Sequence, residues 1–185
     1  MKIRQPRKSE MKALYEELKK YGDIPPSEAK EATQPSKCKQ WLVVIYNGKI
    51  VAGGRTYKTD WYEWTVKNGF VIPSARGRGI ATKLWSALTD KAEQEGAMVA
   101  EADITSTNIA SKMAAYRAGM RPVNSFKWDK KETHADIYQE VFMPPSKREV
   151  LSVNRKIRTD LTKRNVPVFQ DILSPTYYFK NKKKR

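Results

Sequence analysis

The longest unbroken apolar run in the chain is Trp41-Leu42-Val43-Val44-Ile45-Tyr46, and after Asn47-Gly48 a second strand-like run covers 49–57. That dipeptide supplies the positive φ angles of a type I′ turn, so 41–57 is predicted as a β-hairpin. Residues 62–72 form a third strand candidate, interrupted at Asn68-Gly69, where a bulge or bend is expected, and stopped by Pro73. From 79 to 96 the period changes: Ile80, Leu84 and Leu88, with Ala81 and Trp85, make the apolar stripe of a helix. Residues 98–105 read as a strand, 107–118 as a helix closed by Gly119, and 121–126 and 136–143 as two further strands.

Ahead of the hairpin, 2–5 suits a short strand, and 8–21 reads as an amphipathic helix with Met11, Leu14, Tyr15 and Leu18 on one face and Gly22 at its end. Residues 23–39 carry Pro25, Pro26 and Pro35 among polar positions and are expected to be a connector, with at most a helical turn or two around 27–33. Pro144-Pro145 breaks the alternation, and 146–164 reads as a very basic helix leading to an irregular, aromatic and lysine-rich end. The order of elements predicts an α/β domain over 1–143 and a basic C-terminal extension over 144–185. There is no repeat of fixed period, which excludes solenoids and propellers.

Charge changes this picture at one end. The chain of 185 residues holds 36 Lys and Arg against 20 Asp and Glu, a formal net charge of +16. Residues 144–185 contribute 12 basic and 3 acidic side chains to that balance, while the longer stretch 38–143 contributes 15 and 11. The extension is therefore where a polyanion would be attracted. Lys147, Arg148, Arg155, Lys156, Arg158, Lys163 and Arg164 fall on the predicted helix, and Tyr177-Tyr178-Phe179 precedes Lys180 and the 182–185 run. Phosphate contacts with aromatic stacking platforms suit DNA, RNA or the ribosome, whereas a solvated helix packed by Val150, Val153, Ile157 and Leu161 is the plainer alternative. One cysteine, Cys38, excludes an internal disulfide, and with no charged-then-apolar leader the chain is expected to be cytoplasmic. The 41–46 run is far short of the roughly 20 apolar residues of a membrane span.

The stretch Val71-Ile72-Pro73-Ser74-Ala75-Arg76-Gly77-Arg78-Gly79-Ile80-Ala81 lies between a predicted strand and an amphipathic helix. Gly77 and Gly79 let backbone N–H groups turn inward, the helix supplies the positive end of its dipole, and Arg76 and Arg78 add charge, which together suit a pyrophosphate. Taken alone, the loop is equally an ordinary strand-to-helix turn. A dinucleotide-binding unit would place its glycines in a different order directly after the first strand.

The loop resembles the acyl-CoA signature of the GNAT acyltransferase superfamily: Arg or Gln, two residues, Gly, one residue, Gly or Ala, here Arg76, Gly79 and Ala81. Val71-Ile72-Pro73 is similar to the end of the family's fourth strand, whose splayed backbone pairs with the pantetheine amides. Asn108, Ala110 and Gly119 are similar to its second conserved segment. The resemblance covers residues 1–143 and implies a single domain with a mixed, mostly antiparallel sheet flanked by helices. It implies that acetyl-CoA or another acyl-CoA is the cosubstrate, held by Val71, Ile72, Arg76, Gly77, Arg78, Gly79, Ile80, Ala81, Thr82 and Asn108, and that the acyl group passes to an amine.

Direct transfer from a thioester to an amine needs a neutral amine, a polarised carbonyl and a proton for the departing thiolate. No protein nucleophile is required, so Cys38 is expendable. Asp103 stands five residues before Asn108, where relatives that acetylate protein N-termini carry an acidic base, so the resemblance makes it the first candidate for that role. A solvated or salt-bridged carboxylate on a strand face shared with Glu101 is the plain alternative. Glu63 lies near where other members place a glutamate base. The family's usual tyrosine position is Ala115 here, and Tyr116 is either the general acid or a core aromatic on the stripe of Ile109, Met113 and Met120. His134, the only histidine, has no Cys or His partners in sequence and is not expected to bind a metal. Two readings of function stay open: an acyltransferase acting on an amine, on or near nucleic acid, and a catalytically degenerate GNAT scaffold that binds nucleic acid.

Overall fold

The computed structural model describes residues 1–22, 24–34, 39–127, 134–142 and 147–164. The chain divides into two units, Met1–Glu140 and Val141–Arg185. The first contains β1 (Lys2–Arg4), α1 (Met11–Tyr21), α2 (Pro26–Thr33), β2 (Lys39–Tyr46), β3 (Lys49–Lys58), β4 (Glu63–Val71), α3 (Ile80–Gln94), β5 (Val99–Thr105), α4 (Ile109–Ala118) and β6 (Arg121–Lys127), and β7 (His134–Val141) runs to its end. The second contains α5 (Lys147–Lys163). Cys38, Met143, Ser146 and the aromatic, lysine-rich end lie outside the described residues.

The strands form one sheet in the order β1-β2-β3-β4-β5-β7-β6. β1 to β4 are antiparallel neighbours, β4 and β5 are parallel, and β6 and β7 are antiparallel. The hairpin is as its sequence dictates: Asn47 and Gly48 take φ of 48° and 74° and Tyr46 pairs with Lys49. The β4 to β5 connection is parallel and so requires a crossover, which α3 supplies.

Each face of the sheet takes its own helices. A Cβ on Gly53 would meet Phe70 and Leu14, whereas one on Gly54 would meet Leu88, so alternation along β3 assigns odd positions to α1 and α2 and even positions to α3. On the first face Leu14, Leu18, Ala29, Ala32, Trp41, Val43 and Phe70 form a buried cluster, and Trp41 Nε1 donates to the Ala32 carbonyl at 2.8 Å. The turn or two of helix expected around 27–33 within the connector is α2, eight residues long. Pro26 sits in its first turn, where a missing N–H costs nothing, and Ala29 and Ala32 bury one face. The helix expected from residue 8 begins with a 3₁₀ turn, Lys8–Glu10, before α1. No helix among the described residues is long and apolar enough to cross a membrane.

The two glycines of β3 mark where opposite layers come closest. A methyl group at Gly53 would stand 2.8 Å from the Phe70 ring and 3.1 Å from Leu14, while at Gly54 the nearest atom is the Leu88 Cδ1 methyl. Gly53→Ala is expected to cost about 1–3 kcal/mol in a urea melt, and Gly54→Ala less, because a terminal methyl swings aside more easily than a ring. Equal costs would mean that the two faces are packed alike.

Candidate acyl-CoA cleft and carboxylate face

β4 and β5 run together for only a short distance. Their ladder pairs Glu63 with Val99, Trp64 with Ala100 and Thr65 with Glu101. Beyond it β4 bends at a bulge, where the β3–β4 register shifts between Gly53 and Arg55 and Asn68 takes φ of 56°. The bulge foreseen at Asn68-Gly69 is thus present, and it carries the end of β4 away from β5.

A cleft of about 490 Å³ opens beside that end, lined by Gly69 to Val71, by the loop and first turns of α3, and by the start and one side of α4. After a 3₁₀ turn, Pro73–Ala75, the chain passes through Gly77 and Gly79 at φ of 75° and 69°. The first α3 bond here runs from the Lys83 N–H to the Gly79 carbonyl at 3.2 Å. The N–H groups of Ile80, Ala81 and Thr82, all cleft residues, are the helix's orphan donors and carry its positive dipole end. A Cβ at Gly77 or Gly79 would meet no atom within 4 Å, so their neighbourhood is open space shaped by backbone alone. At α4 the Asn108 Oδ1 caps the helix by accepting from the Ser111 N–H at 3.1 Å, which brings a second helix N-terminus to the same cleft. Such a donor set fits a pyrophosphate.

Of the residues expected to hold the cosubstrate, Val71, Arg76, Gly77, Gly79, Ile80, Ala81, Thr82 and Asn108 line this cleft. Arg76 folds back on it, its Nε donating to the Val71 carbonyl at 3.1 Å. Ile72 packs against the α1–α2 cluster instead, and the Arg78 guanidinium lies 6.0 Å from the centre of the Tyr46 ring. Neither lines the cleft. Ser111, Trp85 and Arg117 do, and the sequence reading missed them. For Arg117 the sequence offered only a basic residue nine positions beyond the Asn108 cap; that it faces the cleft is set by the fold.

Opposite the α3 face, alternation puts Glu63, Thr65 and Lys67 of β4 beside Glu101 and Asp103 of β5. Glu63 accepts from the Thr59 hydroxyl at 2.9 Å, and Glu101 Oε2 accepts from Gln139 Nε2 of β7 at 2.7 Å. Burial raises all three carboxyls. It acts on Asp103 against the opposing charge of Lys67, and on Glu63 against the Thr59 hydrogen bond. Glu101 is pushed up to about 7, first by burial and then by the neighbouring Glu63, with Gln139 pulling the other way. Asp103 is therefore neither a fully solvated carboxylate nor alone, and Glu101 is the group the sequence reading left as a mere neighbour.

The core reading of Tyr116 does not hold. Ile109, Met113 and Tyr116 are exposed, Tyr116 to 49%, whereas Ala114 and Ala115 are buried. The apolar stripe of α4 faces outward because the helix packs through its alanines. The Arg121 guanidinium covers the Tyr116 ring at 4.2 Å, and Tyr116 is not among the cleft residues. His134 is exposed at the start of β7, where its carbonyl accepts from the Ser106 N–H. Among the described residues no group of His, Cys, Asp and Glu is arranged to hold a metal ion.

Residues 8–120 match the model of the Acetyltransferase (GNAT) family, and the chain belongs to that family. No curated protein sequence matches it. The fold is similar to that of a ribosomal-protein-alanine N-acetyltransferase from Brucella melitensis, with a TM-score of 0.66 and 16% identity over 77% of this chain and 100% of that one. The ribosomal-protein-S18-alanine N-acetyltransferase of Escherichia coli superposes with a TM-score of 0.65 and 19% identity over 79% and 96%. An aminoglycoside acetyltransferase in complex with coenzyme A and kanamycin does so with a TM-score of 0.61 and 16% identity over 75% and 93%.

The raised Glu101 has a consequence for stability. The folded state favours its protonated form, so between the ordinary carboxylate value and about 7 the fold binds more protons than the unfolded chain and loses stability as pH rises. Glu101→Gln keeps an acceptor for Gln139 and removes the charge. It is expected to stabilise the protein at pH 8 by on the order of 1–3 kcal/mol and to gain little near pH 4. Urea melts at the two pH values check this, and a variant less stable than wild type at pH 8 would contradict a desolvated Glu101.

Proposed function

We propose that the chain is an N-acyltransferase that moves an acetyl group, or a similar acyl group, from acyl-CoA directly onto a primary amine. The observation that carries this reading is the single cleft at which two helix N-termini and the Gly77–Gly79 loop converge, beside the place where β4 leaves β5. In this reading the orphan N–H groups of α3 hold the pyrophosphate, Arg76 and Arg117 add charge, and the free edge of β4 at Gly69 to Val71 pairs with the pantetheine arm. The thioester then reaches the parting of the strands. The carboxylates on the far face, to which Asp103 and Glu63 belong, take the proton from the amine. With Tyr116 off the cleft, the thiolate's proton comes from the attacking nitrogen or from water.

Acetyl-CoA is expected to raise the melting temperature of the wild-type chain, because the native loop binds it and the unfolded chain does not. Gly79→Asp sets a charge and a Cβ against the pyrophosphate site and should abolish that shift. A shift that survives the substitution would remove the loop from the site.

Exposed Arg155, Lys156, Arg158 and Lys163 on α5 support a guiding role for the C-terminal unit toward a nucleic acid that bears or adjoins the acceptor. Replacing all four by Gln should weaken single-stranded oligonucleotide binding in gel shifts and reduce the slope of log K against log salt by about one per lost phosphate contact. An unaltered slope would refute the guiding role and leave the acyl-transfer reading untouched.

A further inference from the structure

Three strands converge on Glu101. On β5 it pairs with Thr65 in the last rung that β4 and β5 share, so it stands where the strands part. From β7, Gln139 Nε2 donates to its Oε2 at 2.7 Å and fixes the carboxyl group. From β4, Glu63 and Lys67 bring opposite charges to it, and Asp103 stands two residues along its own strand. The other two acids are placed differently. Glu63 lies two rungs back, on the first rung of the ladder, and is engaged by Thr59, while Asp103 lies beyond the last rung and feels the charge of Lys67.

We infer that Glu101 is the group that receives the amine proton, with Gln139 as the positioning residue that holds its carboxyl group at the parting of β4 and β5. This rests on the acyl-transfer reading and assigns its base. Burial and the adjacent Glu63 and Asp103 hold Glu101 at about 7, closer to an ammonium group than an ordinary carboxylate. The ammonium form of the acceptor gives one proton to the Glu101 carboxylate. The neutral amine attacks the thioester carbon, forming the C–N bond and placing the carbonyl electron pair on oxygen. As the C–S bond breaks, the nitrogen's surplus proton passes to the thiolate sulfur. The products are the amide and free CoA thiol, and the Glu101 carboxylic acid releases its proton to solvent.

The test uses the full chain labelled with ¹³C at the glutamate side-chain carboxyl, with Glu101→Gln identifying the Glu101 signal by its loss. That signal is expected to titrate at about 7, and to move higher in Gln139→Leu, which removes the hydrogen bond that favours the charged form. Thiol release from acetyl-CoA is read alongside from pH 6 to 9 with glycinamide, a small primary amine, as the probe. Glu101→Gln should lower the rate about 100-fold while leaving acetyl-CoA affinity within about twofold, and Gln139→Leu should move the acidic limb of the profile upward. A Glu101→Gln variant with the wild-type rate, or an acidic limb that vanishes only in Asp103→Asn, overturns the assignment. If glycinamide does not react with the wild-type chain, the carboxyl titration decides alone, and a midpoint in the ordinary carboxylate range overturns it. A wild-type chain that binds no acetyl-CoA is a separate result, and it refutes the acyl-transfer reading itself.

Discussion

The rest of the site depends on β4 not following β5. The pairing of the two strands ends at Thr65 and Glu101, and just beyond it β4 carries one residue more than β3 can match. The extra residue is accommodated by Asn68 in the left-handed region, a conformation that asparagine tolerates better than most residues. Two partners hold it there. Arg55 Nε donates to Asn68 Oδ1, and Asn68 Nδ2 donates to Glu28 Oε1 at 3.3 Å. Arg55 is almost wholly buried. Burial works against its charge, and Glu28 and Glu31 of α2 offset that penalty, so the bulge, the buried cation and α2 are one electrostatic unit. Without the bulge, Gly69 to Val71 would be paired strand interior rather than cleft wall.

The parting of the strands also sorts charge. On the cleft side stand two helix N-termini, Arg76 and Arg117; on the α1–α2 side of β4 and β5 stand three partly buried carboxylates. Neither arrangement serves the fold. Orphan N–H groups gathered in one place and acids pushed up by burial both cost stability, and such costs concentrate where a polypeptide handles ligands. An anionic cosubstrate on one side and a cationic amine on the other would relieve each cost in turn.

The parts of this design that depend on neighbours in sequence were legible there. Asn47-Gly48, Asn68-Gly69 and the Gly77–Gly79 loop announce themselves because a backbone conformation dictates its residues locally. The turn or two of helix around 27–33 was legible too, and Pro26 fits it because a proline in a first helical turn is harmless. The core alternative for Tyr116 failed because periodicity tells which residues share a face, not which face is covered. Glu101 could not be found from sequence at all. Its raised value comes first from burial in the sheet and then from Glu63 on β4, against the hydrogen bond from Gln139 on β7, all set by the order of strands.

The packing of α4 explains a departure from the family pattern. Relatives often carry a tyrosine where this chain has Ala115, and here that position is completely buried beside Ala114 and ahead of the equally buried Met120. A ring at 115 would have to displace what the alanine now touches, and overpacking of that kind typically costs about 1–3 kcal/mol or more. Close packing of α4 through its alanines and a hydroxyl projecting from position 115 are therefore mutually exclusive in this structure. With that hydroxyl gone and Tyr116 turned outward beneath Arg121, the site has lost the group that would hand a proton to a leaving thiolate. In the proposed acyl transfer the thiolate's proton then comes from the attacking nitrogen or from water. In that proposal the reaction depends on how the amine enters, stripped of one proton and carrying the other two, and the weight of the chemistry falls on the carboxylates at the parting of the strands.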